Sequence, residues 1–390
     1  MNWRYQYTAL LLCTFAFMAT MAARLAISPL VPAITDDFAV SNAALGTALS
    51  LMWATYALTQ FPSGIFGDRF GERRVILVAI GLTAIASLLL AVSPSYEFFV
   101  LFTIVLGVGA GLHYTVATTY LTKQFANTGR AIGLHIAGGP VAGLVAPIAA
   151  TLIAVRYGWR AGVLLGFFVA APIFVLFAWR IRPTEPDRPE QPMRERAELG
   201  AMVELLSRPS IAYTTLLSFL CAFVWQATAS FLPTFFAEGQ GLSPAIASAL
   251  FSLYFVVHGL TQPLMGGLSD RIGRDSAAIV TMSAGIVGYG LLVVAGSLPQ
   301  FVAGVLFIGL AMSWGAPIQS RFMDLLGASE RGTGFGLVRT AYMTTGATGS
   351  VVVGILADLY GWDVSFTLLA GIMILGLGIL AANRLFRLGL

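Results

Sequence analysis

The sequence predicts an all-α membrane protein of twelve transmembrane helices, arranged as two related six-helix bundles with both termini in the cytoplasm. Three observations carry this. Of 390 residues, 57% are hydrophobic and 10% charged, with a mean hydropathy of +0.83, far from the roughly 25% charged content of soluble domains. Apolar runs of about 20 residues, long enough to cross a roughly 30 Å hydrocarbon core, recur along the whole chain. Finally, Gly64-Ile65-Phe66-Gly67-Asp68-Arg69-Phe70-Gly71 returns 202 positions later as Gly266-Gly267-Leu268-Ser269-Asp270-Arg271-Ile272-Gly273, the mark of an internal duplication.

Taken in order, the runs of the first copy lie near 8–32, 43–65, 75–93, 97–122, 130–154 and 160–181. The first contains Ala22-Ala23 near its end, but its roughly 25 apolar residues exceed the 7–15-residue core of a cleavable signal, so it is expected to remain as a helix. The second and third meet at the repeated motif. The fourth holds Gly107-x-Gly109-x-Gly111, which lacks the preceding strand that a nucleotide fingerprint requires. The second copy follows near 211–236, 244–267, 276–297, 299–323, 333–356 and 363–385. Its correspondence to the first extends beyond the motif: Gln60 pairs with Gln262 at 202, while Gly133-Leu134 and Tyr157-Gly158-Trp159 pair with Gly336-Leu337 and Tyr360-Gly361-Trp362 at 203. The expected division is a bundle over 1–181, a cytoplasmic linker over 182–208 and a second bundle over 209–390. Pro183, Pro186 and Pro189 make the linker's first part extended. Its second part sets Ala197, Met202, Leu205 and Leu206 near one helical face, which fits either a short helix on the inner membrane surface or a disordered tether.

Charge fixes the orientation. The net charge is +4, and placing the N-terminus in the cytoplasm puts seventeen of the 22 Lys+Arg on the inner side. These are Arg4, Arg69, Arg73, Arg74, Lys123, Arg130, Arg180, Arg182, Arg188, Arg194, Arg196, Arg208, Arg271, Arg274, Arg331, Arg384 and Arg387. Only Arg156 and Arg160 then face outward, and three arginines lie within segments. This is the positive-inside bias of a multi-pass cell-membrane protein, and it accounts for the basic balance without nucleic acid as a partner. Cys13 and Cys221 fall inside apolar segments and read as small buried hydrophobes rather than a disulfide or metal site.

The repeated loop has a physical role of its own: glycine lets a helix end approach its neighbour, and an Asp at the membrane edge can meet a helix N-terminus or an arginine across the half-interface. Asp68, Arg69, Asp270 and Arg271 are therefore candidate latch residues. Gly64, Asp68, Arg69, Gly71, Arg73 and Arg74, with Gly266, Asp270, Arg271, Gly273 and Arg274, resemble the loop motif of the major facilitator superfamily of secondary transporters. Glu72 and Asp275 stand where that family usually has a basic residue. The resemblance covers essentially the whole chain and implies transport by alternating access, the halves rocking about a midplane site.

Charge within a bilayer is expensive and usually faces a cavity or a partner. Segments three, six, nine and twelve have no such residues in their interiors, as suits scaffold helices facing lipid. The others carry Arg24, His113, His135, His258, Arg321 with Asp324, and Arg339. At about 1.5 Å per residue, Arg24, His113 and His258 lie near the midplane, whereas His135 and Arg339 lie toward the inner side and suit an inner gate or vestibule. Arg321 and Asp324, spaced i,i+3, are expected to pair. Arg24 cannot lose its charge, and no segment offers a carboxylate at its depth, so its partner is expected to be an anionic substrate held by the planar guanidinium fork. Ser28, one turn on, adds a hydroxyl. The alternative for Arg24 is hydrogen bonding to carbonyls of a broken helix. Arg24-x-x-x-Ser28-Pro29-x-x-Pro32 also resembles the family's anion:cation symporter branch, though Ala23 stands where that branch usually has Asp.

His113 and His258 are candidate proton carriers, since imidazole titrates near pH 6.5. Tyr56 occupies the repeat position of His258, and Trp53, Tyr114, Trp225, Gln226, Tyr254, Trp314 and Gln319 are candidate pocket residues, with Arg339 a second cation drawing the anion inward. Gly138-Gly139-Pro140-x-x-Gly143 partly resembles a motif of drug/proton antiporters, and equally serves close helix packing. The sequence offers no metal-ligand cluster, nucleophile motif or phosphate loop, so neither enzyme activity nor a cofactor is expected. The expected function is secondary transport of a small organic anion by a monomer in the lipid bilayer, with protons as candidate coupling ions. Proton-driven drug efflux is the first alternative and a transport-dead membrane sensor the second.

Overall fold

The computed structural model describes residues 5–125, 127–186, 189–190, 199–327 and 331–390, the side chains of 199–202 and 331–333 excepted. Arg4, Arg188, Arg194, Arg196 and Ala197, and the side chains of Met202 and Arg331, lie outside the described residues. Among the described residues there is no strand, and the chain clusters into two compact units: Met1–Val40 with Leu51–Glu198, and Ser41–Ser50 with Leu199–Leu390.

In the first unit, α1 (Tyr5–Leu25) is followed by a 3₁₀ turn (Ser28–Leu30) and α2 (Val31–Phe38). Pro29 and Pro32 explain the interruption, because proline lacks the donor that would continue the ladder. The long α3 (Asn42–Phe70) turns into α4 (Glu72–Ala91), and α5 (Tyr96–Gln124) follows. Then come α6 (Thr128–Ile136) and α7 (Gly138–Tyr157), broken at Ala137, and α8 (Trp159–Val163) with α9 (Leu165–Arg180). The core of this unit is built from Ala9, Cys13 and Ala16 on α1, Ile76 and Ile80 on α4, Ala117 and Leu121 on α5 and Phe177 on α9.

The second unit begins with α10 (Leu199–Ser207), a helix in the latter part of the expected linker, with Leu205 buried and Val203 exposed. It continues with α11 (Pro209–Thr234), α12 (Pro244–Ile272), α13 (Arg274–Val294), α14 (Leu298–Ala311), α15 (Gly315–Leu325), α16 (Arg331–Gly346), α17 (Thr348–Tyr360) and α18 (Trp362–Leu385). Ser41–Ser50 packs within this unit: the Asp358 carboxylate accepts from the Asn42 and Ala43 amides at 3.1 and 2.7 Å, and Ser50 Oγ donates to the Ala347 carbonyl at 2.6 Å. A carboxylate on the first amides of α3 satisfies donors that the helix cannot.

Eleven of the described helical segments are long and apolar enough to cross a membrane. The segment expected near 43–65 is the helix α3, 29 residues long, which stands outside that set; Thr47, Ser50, Thr55, Thr59, Gln60 and Ser63 dilute its apolar character.

The duplication is visible in backbone geometry. Gly71 and Gly273, which close the two motif loops, have φ of 84° and 90°, and Gly158 and Gly361 have 84° and 88°. Each is the single residue between two helices. That conformation is essentially restricted to glycine, so a one-residue corner requires it at all four positions.

Candidate functional site

Arg24 sits in the last turn of α1, where the helix's carbonyl end favours a cation. It is 1% exposed. Its Nε donates to the Thr20 carbonyl at 3.1 Å and one terminal nitrogen reaches Met21 Sδ at 2.8 Å. The guanidinium carbon lies 4.0 Å from the ring centre of Tyr56 and 4.9 Å from that of Trp53, both on α3. Aromatic faces carry negative potential and stabilise a desolvated cation. The helix ends here because Pro29 cannot continue it, and Ser28, buried, opens the 3₁₀ turn that follows. Arg24 thus bonds a carbonyl of its own helix, and its guanidinium carbon lies over the rings of Tyr56 and Trp53, which stand nearly perpendicular to each other.

One turn and then a second turn back along α1 lie Met21 and Phe17, sharing a face with Arg24 at i−3 and i−7. Phe17 is the hub of a second cluster. Its ring is 6.3 Å from His113, 5.7 Å from Tyr114 and 5.2 Å from His135. His113 and His135 are 0% exposed, with ring centres 5.6 Å apart. His113 Nε2 is 3.3 Å from the Cys13 carbonyl. His135, expected at an inner gate or vestibule, is a buried neighbour of His113. The reason is the break at Ala137: a Cβ on Gly138 would meet the Thr14 carbonyl at 2.7 Å, and one on Gly139 would meet Phe17 at 3.2 Å. The missing side chains let α7 close on α1 and carry the end of α6, with His135, inward. The Gly138-Gly139 pair accordingly has a packing role.

In the second unit, Gln226 on α11 is buried and donates to the Met343 carbonyl at 2.9 Å, while its Oε1 makes no hydrogen bond among the described residues. His258 lies 6.3 Å from Tyr254 on α12, and Trp314 packs edge-on to Tyr342 at 6.1 Å. Trp225 and Arg339 are half-buried. Thr261 and Ser313 share a hydrogen bond of 2.6 Å, and the side-chain amides of Gln262 and Gln319 both lie over Gly315, where a Cβ would meet them at 3.5 and 3.4 Å. A depression of about 350 Å³, lined by Arg274, Ala316, Gln319, Ser320, Asp324 and Phe335, lies at the end of α15. Apart from Gln319 it contains none of the expected pocket residues.

Arg321 and Asp324 do not pair with each other. Arg321 bonds Asp275, Thr214 Oγ1 and the Leu390 carbonyl, while Asp324 accepts from Arg274 Nε at 2.9 Å. Each residue turns toward the neighbouring helix it faces, and α13 supplies both partners from adjacent positions. Among the latch candidates, Asp270 accepts from Arg274, four residues on, at 2.5 Å. Arg69 is exposed with its guanidinium 5.6 Å from the Phe70 ring. Asp68 is half-buried and Arg271 exposed.

Phe17, Met21 and the Cys13 carbonyl were absent from the sequence reading of the site. The i, i+4, i+7 spacing of Phe17, Met21 and Arg24 was available as a signal for the first two; a backbone carbonyl leaves none.

The profile of the Major Facilitator Superfamily matches residues 10–251 and 214–387. The chain is 25% identical to a probable sulfoacetate transporter, SauU, of Cupriavidus necator over 95% of its own length and 91% of that protein's. It is 23% identical to the hexuronate transporter of Bacillus subtilis, over 93% of this chain and 90% of that one. Its fold is similar to that of the nucleoside transporter NupG, with a TM-score of 0.80 at 16% identity, covering 98% of this chain and 99% of the other.

Proposed function

The chain belongs to the Major Facilitator Superfamily, and from that premise we propose that it carries a small organic anion of carboxylate type across the cell membrane by alternating access, with Arg24 as the anion clamp. The observation that carries this reading is a guanidinium 1% exposed whose carbon lies 4.0 and 4.9 Å from the ring centres of Tyr56 and Trp53. Thr20 and Met21 hold two of its nitrogens, so its plane is fixed before substrate arrives. An oxyanion entering in that plane meets aligned donors without ordering a long side chain, and binding neutralises a charge that is costly in a low dielectric. Two relatives are named for sulfoacetate and hexuronate, both anions, which supports the same substrate class here.

In this reading Ser28, Tyr114, Trp225, Gln226, His258, Trp314 and Arg339 are further substrate contacts, and Asp68, Arg69, Asp270 and Arg271 form the inner latch. The chain spans the membrane twelve times, α3 included, with both termini cytoplasmic. Protons accompany the anion. The protein works as a monomer.

The test is uptake of radiolabelled hexuronate and sulfoacetate by proteoliposomes. Losing a charge-assisted hydrogen-bond pair costs roughly 1.5–3 kcal/mol, so Arg24→Ala is expected to lower uptake at subsaturating anion by about 10- to 150-fold. Arg24→Lys, which keeps the charge and loses the fork, should fall between. Wild-type rates in Arg24→Ala would sink the assignment. Drug efflux is the competing reading, and a rise in drug tolerance of expressing cells that survives Arg24→Ala would favour it.

A further inference from the structure

His113 and His135 present three ring nitrogens, both Nδ1 atoms and His135 Nε2, that are buried and make no hydrogen bond among the described residues. A neutral imidazole carries one donor and one acceptor, and leaving such groups dry and unpaired is unfavourable, so a native protein retains the arrangement where something else occupies it. Two separate elements deliver the rings: α5 brings His113, and the break at Ala137 brings His135. His113 Nε2 lies 3.3 Å from the Cys13 carbonyl, and the His135 ring centre lies 5.6 Å from that of His113. Phe17 flanks both rings and Tyr114 packs on His135. Among the described residues the surroundings thus offer lone pairs in excess of donors and no carboxylate in contact with either ring.

We propose that His113, His135 and the Cys13 carbonyl form one proton-binding site that takes up a single proton per transported anion. The proposal rests on the reading of Arg24 as the anion clamp. A proton from the aqueous phase adds to the lone pair of one ring nitrogen. The resulting imidazolium donates to the Cys13 carbonyl and to the lone pair of the second imidazole, directly or through one water molecule, and no covalent bond breaks. A second proton is opposed by the first, since like charges in one buried site disfavour each other. The other charged or titratable groups facing the pair are the Cys13 thiol and Arg24 on α1 and Tyr114 on α5; Tyr5, Tyr7, Tyr96, Glu97, Tyr120 and Lys123 lie toward the ends of α1 and α5. Of the cations on these helices, Arg24 is the one beside the pair, while Lys123 sits in the last turn of α5 and Arg130 at the start of α6. Arg24 stands two helical turns from Phe17 on the same face of α1, so an empty clamp repels the incoming proton and an occupied one does not. Anion and proton then load together, and the pair accounts for coupling in a chain that has Ala23 before Arg24.

Two measurements test this with the full chain. In proteoliposomes, hexuronate and proton movements are recorded together, the latter with an entrapped pH dye. Wild type is expected to move one proton per anion, and His135→Gln to bring the ratio to zero whatever anion flux remains. A ratio of one in His135→Gln, or anion flux without protons in wild type, overturns the site while leaving the anion reading standing. Absence of anion flux in wild type removes both. The second measurement needs no transport. The chain has only three histidines, so their ring signals are resolvable by NMR in detergent. His113 and His135 are expected to titrate with a shared midpoint, and His135→Gln to move the His113 midpoint. Independent titration of the two rings overturns the proposal.

Discussion

Arg24 is held by ring faces, and that makes Tyr56 the residue on which its energetics turn. The Tyr56 ring centre is closer to the guanidinium than that of Trp53, 4.0 against 4.9 Å. A desolvated cation–π contact is worth about 0.5–2 kcal/mol, and removing it leaves a buried cation less stabilised in the empty site. Tyr56→Leu is therefore expected to change the anion's half-saturation concentration by about 2- to 30-fold, whereas Tyr56→Phe, which keeps the face, should stay within about threefold. Uptake measured over a concentration series separates the two. Equal effects of both substitutions would show that the hydroxyl, not the face, is what matters.

At the scale of helices, the two motif corners use the same construction with opposite charge. Where α3 turns into α4, Glu72 accepts from Lys123 at the end of α5, 2.5 Å away. Where α12 turns into α13, the position corresponding to Glu72 is Arg274, and it pairs with Asp324 at the end of α15. Arg73 next to Glu72 caps the end of α9 through the Ala178 and Ile181 carbonyls, while its counterpart Asp275 binds Arg321. The departures from the family's basic run, Glu72 and Asp275, are thus ion-pair partners. The Arg274 and Arg321 pairs are partly exposed, which limits each to about 1 kcal/mol, whereas Glu72 is buried beside a partly exposed Lys123. Glu72→Lys should lower the thermal midpoint in detergent by several degrees through like-charge contact with Lys123, and adding Lys123→Glu should restore most of the loss. Failure of the double variant to recover would assign the loss to packing rather than charge.

The corner glycines allow a graded test. Gly273→Ala meets nothing within 4 Å and bears only the backbone strain of positive φ, about 1–3 kcal/mol. Gly71→Ala bears that strain and also drives its Cβ into the Thr184 carbonyl. Thermal midpoints should therefore rank wild type above Gly273→Ala above Gly71→Ala, and the reverse order of the two variants would refute the steric argument.

For the molecule as a whole, orientation is the property most open to direct measurement. Both native cysteines are buried and unpaired, so replacing them with serine leaves a background for single reporters. Glu185, just after α9, and Ala245, at the start of α12, are exposed. The positive-inside bias places a cysteine at 185 on the cytoplasmic side and one at 245 outside. An impermeant maleimide added to intact cells should label Ala245→Cys and spare Glu185→Cys until the membrane is opened. The opposite pattern would invert the topology.

The sequence by itself determined what depends on linear properties: apolar length, the clustering of cations between the apolar runs, and the 202-residue recurrence of the motif. Lipid reads a helix by its length and its ends, so these survive without knowledge of any neighbour. The separation of Arg24 as a buried cation was legible for the same reason, since charge in an apolar run stands out wherever its helix packs. Tertiary structure decided the lateral relations. Arg321 and Asp324, adjacent on one helix, part company because each meets a different residue of α13, and rotation about the helix axis is not written in hydropathy. His135 reached His113 because α6 and α7 break at Ala137 and two glycines admit α1, a change of direction that shifts depth and facing together. The contact of His113 with the Cys13 carbonyl exists only once α5 meets α1, since every residue has a carbonyl and only packing selects which one is used.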